Sequence, residues 1–466
     1  MQLVPERRLT IIEAAAALAR GELTCERLVQ GCLERIDAWE DEIHAWVSVD
    51  RDGAQRTGRA CDVELARRRL KGSSEPLPPL FGIPIGIKDI IDIAEQITGA
   101  GSRARREGPP AERDATVVRM LREAGAIILG KTVTTQFACF DPPPTRNPWN
   151  VKRTPGGSSS GSAAAVAAGM CLGAIGSQTG GSIIRPASFC GVAGCKPTFG
   201  RVSLDGIVPV APSLDTVGPI AGCVADLAIL LNVISVGDQV VADGEPTLKL
   251  AIDVAGLQRE KLSPPRLAVL GGFFKTADDE MRLALDRAVS QMRAAGASID
   301  LRDIHPDWLH SHRVIAGYEM AARHRERIHK LRFDYAPTVA QLIQEGLLIT
   351  DAEYAEARRN LVRAIAESAV LMEEVDALVC PAARGPAPVR TTTGDPSLQS
   401  FWTYTGQPTI TFPIGFSERS FPLGLPLGIQ LIGRRFDEAG LFRVAAWCEA
   451  VLPQLAPKEA PKDSAG

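Results

Sequence analysis

The chain has 466 residues, with 52 basic and 55 acidic side chains, a formal net charge of −3 and 45% hydrophobic content. This is the balance of a globular protein with a large core, and it gives no broad electrostatic reason to expect nucleic acid or an anionic membrane as the main partner. With 43 Gly and 33 Pro against 14 Phe, 6 Trp and 4 Tyr, tight turns and close backbone packing outweigh aromatic binding surface, which favours an enzyme acting on small molecules.

Thr10-Ile-Ile-Glu13 is a capping box that opens an Ala-rich helix ending near Gly21, and Thr24 caps a second helix through about Trp39. Residues 1–60 are read as an N-terminal helical segment packed on the core, and 61–452 as the main domain. A charged helix from about Asp52 to Lys71 and a Pro-rich loop lead into Phe81-Gly-Ile-Pro-Ile-Gly-Ile-Lys88, whose β-branched residues and turn signals predict a short buried strand with Lys88 at its far end. Helical spacing over Thr116 to Glu123 stops at Gly125 and is followed by the strand-like Ala126-Ile-Ile-Leu129; this alternation recurs to about Gly237. It implies an α/β fold, with a mixed, largely parallel central sheet covered by helices. The stretch from Thr154 to Ile184 carries no formal charge, but its many Gly and Ser deny it the about 20 predominantly apolar residues of a membrane span, and Ser162 to Ala174 predicts a buried helix instead. After a connecting region around Val240 to Pro265, a strand is expected at Leu267-Ala-Val-Leu270 and a helix from Glu280 to Ala295. Residues 276–375 read as a helical insertion or cap, Leu378-Val-Cys380 and Ile410-Thr-Phe412 as strands, Leu441 to Leu452 as the last helix, and 453–466 as a disordered tail.

The ten cysteines form no C-x-x-C pair and several lie in apolar runs, so they read as reduced and buried, and the N-terminus MQLVPERRLT lacks the apolar stretch of a secretory signal; a cytoplasmic location is expected. The histidines (His44, His305, His310, His312, His324 and His329) present no metal-binding spacing, and surface or packing roles are expected for them, with no metal and no cofactor.

Two motifs point elsewhere. Gly125-Ala-Ile-Ile-Leu-Gly130-Lys131-Thr132 satisfies the pattern of a phosphate-binding loop, making a P-loop NTP-binding protein the alternative from another class. A true loop follows a strand and opens a helix, whereas here a helix precedes and strand formers fill the loop. Gly157-Ser-Ser-Ser-Gly161 matches G-x-S-x-G and would nominate Ser159 as a hydrolase nucleophile, but the preceding residues, Asn147 to Pro155, are too rich in turn formers for the strand such an elbow requires.

A third constellation is more specific: Lys88 after its Gly/Pro-rich strand, Gly156-Gly-Ser-Ser-Ser-Gly-Ser162, and Gln178-Thr-Gly-Gly-Ser-Ile-Ile-Arg-Pro186. With these motifs in this order, and Ser158 and Ser182 falling 24 residues apart, the chain resembles the amidase signature family. The resemblance implies a cofactor-free hydrolase cleaving a carboxamide C–N bond, or an ester or carbamate, through an acyl-enzyme on Ser182. Lys88 would be the base, and Ser158 the relay on a cis peptide bond. The amides of Thr179, Gly180, Gly181 and Ser182 would form the oxyanion hole. Such chemistry requires a base, a nucleophile and an oxyanion site, and lysine serves as base only when burial or a cationic neighbour lowers its pKa from ~10.4. Gln178 and Ile184 depart from the usual Asp and Arg. They resemble a malonamidase-like branch in which Arg185 meets a substrate carboxylate; pairing of Arg185 with a nearby Asp or a backbone carbonyl is the other reading. The expected partner is a small-molecule amide, ester or carbamate, with no nucleic acid, no membrane, and a homodimer as a candidate assembly. The alternative within the family is the A-type component of an amidotransferase, which supplies ammonia for tRNA-bound substrates and against which the changes at Gln178 and Ile184 are set.

Overall fold

Runs of apolar residues that are buried on both faces build the centre of the sheet, as expected where helices cover each side. The computed structural model describes residues 3–4, 8–236, 249–259, 262–303, 308–418 and 424–452. Its strands are β1 (Trp46–Val49), β2 (Pro84–Lys88), β3 (Ile127–Thr132), β4 (Gly173–Gln178), β5 (Ala193–Lys196), β6 (Thr216–Ala221), β7 (Arg266–Leu270), β8 (Ser298–Arg302), β9 (Ala377–Pro381), β10 (Thr409–Phe416) and β11 (Pro426–Ile432). They join in one sheet in the order β1-β3-β2-β4-β6-β5-β10-β11-β9-β7-β8. The expected mixed sheet covered by helices is present, but only four of its pairings are parallel and six are antiparallel. Helix-to-strand alternation in sequence signals crossovers, and it is silent on strands such as β6 and β11 that return beside their neighbours in the opposite sense.

Local capping chemistry sets the N-terminal helices. Thr10 and Glu13 exchange hydrogen bonds at the start of the helix Ile11–Arg20, which Gly21 closes at φ 77; Thr24 caps the helix Cys25–Ile43. The buried helix predicted to reach Ala174 covers only Ser160–Ala167, every residue of it buried. Gly169, at φ 70, lets the chain turn into β4 at Gly173. Helix and strand here are equally apolar, so hydrophobicity could not mark their boundary.

The helices Pro337–Gly346 and Asp351–Val370 both pack on Trp308–Lys330, which also lies against Ser397–Tyr404. Residues 276–375 are nevertheless not all helical. Ser298–Arg302 forms β8, an edge strand whose exposed Asp300 and Arg302 neighbourhood hid it in a charged block. A second core, including Leu214, Ile315, Phe401 and Trp402, joins the helical layer to the loop before β6 and to the helix Ser397–Tyr404. The expected tail, His305 and much of the connecting region lie outside the described residues. Among the described residues, no helix is long and apolar enough to cross a membrane.

The helix Ser160–Ala167 sits so close to the end of β3 that a Cβ on Gly161 would lie 2.2 Å from the Ala45 carbonyl oxygen and 2.4 Å from the Val133 amide nitrogen. Backbone cannot yield as a side chain can. Gly161→Ala should therefore lower the free energy of unfolding by about 1–3 kcal/mol or more, read as a lower urea midpoint at unchanged m-value; an unchanged midpoint would show that the helix can stand off from β3.

Candidate active site

Because Lys88 ends a strand inside the sheet, its side chain has nowhere to go but the interior, and it is fully buried. Its Nζ donates to Ser158 Oγ at 2.8 Å, Ser177 Oγ at 2.8 Å and Ser159 Oγ at 3.1 Å. Burial pushes its pKa down to about 7, against smaller opposing effects of Asp215 and Cys139. A neutral amine has two protons and one lone pair, so three surrounding hydroxyls can satisfy it completely, one of them donating to nitrogen.

Ser158 follows a cis peptide bond from Gly157 and lines a cavity of about 360 Å³. Ser159, completely buried at the start of the helix Ser160–Ala167, has its Oγ tied to Lys88 and to the backbone of Ser177 rather than exposed for attack. Ser182 lies on the same cavity as Ser158.

The loop carrying Ser182 leaves the end of β4, and its carbonyls are held from behind. Thr179 O accepts from His312 Nε2 at 2.8 Å, Gly180 O from Thr403 Oγ1 at 2.7 Å, Gly181 O from the Arg185 amide at 3.0 Å, and Ser182 O from the Ser159 amide at 3.2 Å. Thr179 Oγ1 donates to Asp215, which also accepts from the amides of Val210 and Ala211. The amides of Gly180, Gly181 and Ser182 meet no acceptor among the described residues, and all three residues line the cavity. Gln178 Oε1 accepts from the amides of Ile183 (2.9 Å) and Ile184 (3.1 Å), while its Nε2 donates to Thr403 Oγ1 at 3.1 Å. A neutral side chain thus braces the loop that the family's usual charged pair would brace.

Arg185 is 3% exposed, and burial holds its pKa down to about 10. Its Nε donates to Thr393 O and its Nη2 to Gly157 O, each at 2.7 Å, and Nη1 has no partner among the described residues. Two of the guanidinium's five N–H donors are therefore spent on backbone carbonyls, one of them in the cis unit, and both N–H groups of Nη1 meet no partner among the described residues.

Ser177, Asp215 and Thr403 were not singled out by sequence reasoning, and His312 was expected only in a surface or packing role. They come from four separate segments with no shared motif, and only the fold brings them together around this site. The helices Trp308–Lys330 and Pro337–Gly346 wall the cavity, where His312 sits 7% exposed with its pKa lowered by burial. Lys131 of the phosphate-loop pattern lies within β3, donating to Ile91 O and Thr98 Oγ1 and 3.4 Å from Asp89, so no open loop exists there. Among the described residues no cluster of three or more His, Cys, Asp or Glu is placed to hold a metal ion.

The A-type component of the glutamyl-tRNA(Gln) amidotransferase of Roseiflexus castenholzii is 35% identical, with 95% of each chain covered. Among solved structures, a chain of an inhibitor-bound vestigial protein complex, described as revealing the evolutionary origins of an s-triazine catabolic enzyme, superposes with a TM-score of 0.87 at 30% identity, covering 96% of this chain and 99% of that one. The peptide amidase of Stenotrophomonas maltophilia has a TM-score of 0.81 at 30% identity, covering 97% and 99%. The amidotransferase relative overturns the expectation of a small-molecule substrate with no nucleic acid: it is named as one component of a larger enzyme, and for a tRNA-linked substrate. The near-neutral net charge that suggested otherwise averages over the whole surface and is blind to what a companion chain supplies. A family model described as Amidase matches residues 27–442, and on that extent the chain belongs to the amidase signature family, a family of hydrolases of C–N bonds.

Proposed function

We propose that the protein cleaves a carboxamide C–N bond through an acyl-enzyme on Ser182 and does so as the A-type component of an amidotransferase, the released nitrogen going to a tRNA-linked acceptor. The observation that carries the chemistry is the contact of a buried, deprotonatable Lys88 with Ser158 Oγ, on the same cavity as Ser182 and three amides that meet no acceptor among the described residues. Neutral Lys88 draws a proton from Ser182 through Ser158 as Ser182 Oγ bonds to the carbonyl carbon. The resulting oxyanion lies against the loop of Thr179, Gly180, Gly181 and Ser182, whose preset donors need no reorganisation as charge develops. The proton returns to the leaving nitrogen as the C–N bond breaks, and water repeats the sequence on the acyl-enzyme. The relatives support the role within a larger assembly. The changes at Gln178 and Ile184 do not oppose it, since Gln178 braces the loop by itself.

Ser182→Ala should abolish both ammonia release from carboxamides and labelling by a serine-directed phosphonate; label persisting on Ser159 would redirect the mechanism. The tagged chain, purified from cells that make it natively, should carry companion chains and amidate glutamyl-tRNA in their presence. A chain that migrates alone with full amidase turnover would remove the assembly role and leave the Ser182 chemistry standing.

The base must be unprotonated to act. kcat/KM should therefore rise with pH through about 7 and level off above it, and Lys88→Ala should cost several orders of magnitude in kcat. A profile flat from pH 5 to 9 would exclude Lys88 as the base.

Arg185 braces the Gly157 carbonyl, lines the cavity, and has a buried Nη1 without a partner among the described residues. Arg185→Ala should lower kcat/KM by roughly ten- to hundredfold on neutral carboxamides, from lost charge-assisted hydrogen bonds worth about 1.5–3 kcal/mol each, and more on carboxamides bearing a carboxylate. Equal losses on both would show that Nη1 meets no substrate group.

A further inference from the structure

The free amide of Gly180 belongs to the same planar peptide unit as the Thr179 carbonyl, and in a trans unit the N–H and C=O point in opposite directions. Among the described residues the only cis bond is Gly157–Ser158, so the 179–180 unit is trans. A donor seated on Thr179 O therefore aims the Gly180 N–H away from itself. That donor is His312 Nε2 at 2.8 Å, and because a carbonyl can only accept, the proton must reside on Nε2. Withdrawing electron density at the carbonyl also strengthens the N–H at the other end of the unit, as in any chain of hydrogen bonds.

We infer that His312, delivered by the helix Trp308–Lys330, is a positioning residue of the oxyanion site, acting through the Thr179–Gly180 peptide without carrying a proton in the reaction. This rests on the Ser182 acyl-enzyme reading. Its geometry is rigid on both sides. The same helix supplies Glu319, whose carboxylate accepts from the Ser213 amide at 2.9 Å and the Tyr354 hydroxyl at 2.7 Å, fixing the helix to the loop before β6. That loop carries Asp215, which holds the Thr179 hydroxyl. Thr179 is thus clamped at its side chain by the sheet side and at its carbonyl by the helical layer. The neighbouring unit repeats the device, with Thr403 Oγ1 on Gly180 O behind the amide of Gly181. This refines the expectation that all the histidines serve surface or packing roles: His312 is buried, faces the cavity wall and touches the loop that carries Ser182.

The test compares His312→Leu and His312→Met, which fill the space without a donor, with His312→Gln, whose Nε2 can replace the imidazole N–H. The donorless variants should lose about tenfold or more in kcat at KM within twofold, less than the ~10²–10³ that follows removal of an oxyanion donor outright. They should lose a similar factor in the rate of Ser182 phosphonylation, since the tetrahedral adduct places its oxygen in the same site. Gln should recover most of both. Unaltered kcat in Leu or Met, or a Gln variant as impaired as they are, would overturn the inference; so would a loss confined to KM. Should either donorless variant fail to fold, the other and Gln still give the comparison. Failure of the acyl-enzyme reading itself would show separately, as turnover surviving in Ser182→Ala.

Discussion

An amine removed from water at the end of a central strand, with hydroxyls but no carboxylate to receive it, is the constraint around which the site is organised. Lys131, one strand away, shows the contrast. It lies 3.4 Å from Asp89, whose negative charge opposes the lowering that burial imposes on its pKa. Among the described residues Lys88 bonds only to Ser158, Ser159 and Ser177, so desolvation dominates and its proton is held weakly. Three hydroxyls within reach of one nitrogen demand that β2, β4 and the start of the helix Ser160–Ala167 converge tightly. The near-contact of Gly161 with the backbone beyond β3 and of a would-be Cβ on Gly176 with Ser159 Oγ at 2.7 Å are the geometric result. Small residues in this region are therefore required by the lysine's solvation as much as by packing.

The loop from Gln178 to Arg185 turns backbone into an electrostatic device. Each of its first carbonyls is engaged from behind by a different part of the molecule, while the amides of Gly180, Gly181 and Ser182 meet no acceptor among the described residues, which is the arrangement the proposed oxyanion site would use. Preorganisation of this kind is effective because the donors are already oriented and stripped of water before charge appears. It requires a second layer that does not move, and here that layer comprises a histidine, a threonine, a glutamine and a buried aspartate whose pKa is raised to about 6 by burial. Asp215 accepts from Thr179 Oγ1 and two backbone amides, which together keep its ionised form well solvated by the protein.

Arg185 belongs to this second layer more than to the cavity. A guanidinium in the interior must find acceptors, and the carbonyls of Thr393 and Gly157 provide them at 2.7 Å. Arg185 Nη1 meets no partner among the described residues. Similarity at 30–35% identity to an amidotransferase component, to a chain of a vestigial complex and to a peptide amidase places one backbone arrangement beneath differently named proteins. A fold shared in this way leaves function to the site it carries, and here the helices Trp308–Lys330 and Pro337–Gly346 wall the cavity on which Ser158 and Ser182 lie.

Features with local physical causes were legible in the sequence. The Thr10–Glu13 capping box and Gly21 bounded the first helix, since caps depend on residues three or four apart. The helix Thr116–Glu123 and the buried β2 followed from periodicity and β-branching. The motifs around Lys88, Ser158 and Ser182 were visible as spacings, and the fold brings Lys88 to Ser158 and sets Ser182 on the same cavity. What depended on distant partners was not legible. Strand direction, the edge strand β8 within a charged block, and the end of the helix at Ala167 were decided by pairing and packing that no short window contains. The Nε of Arg185 and the ring of His312 likewise received their partners from segments 208 and 133 residues away in sequence. The sequence by itself determined which side chains could do chemistry and where helices begin; tertiary structure alone decided which carbonyls those side chains would meet, because a hydrogen bond is set by ångströms in space and not by position along the chain.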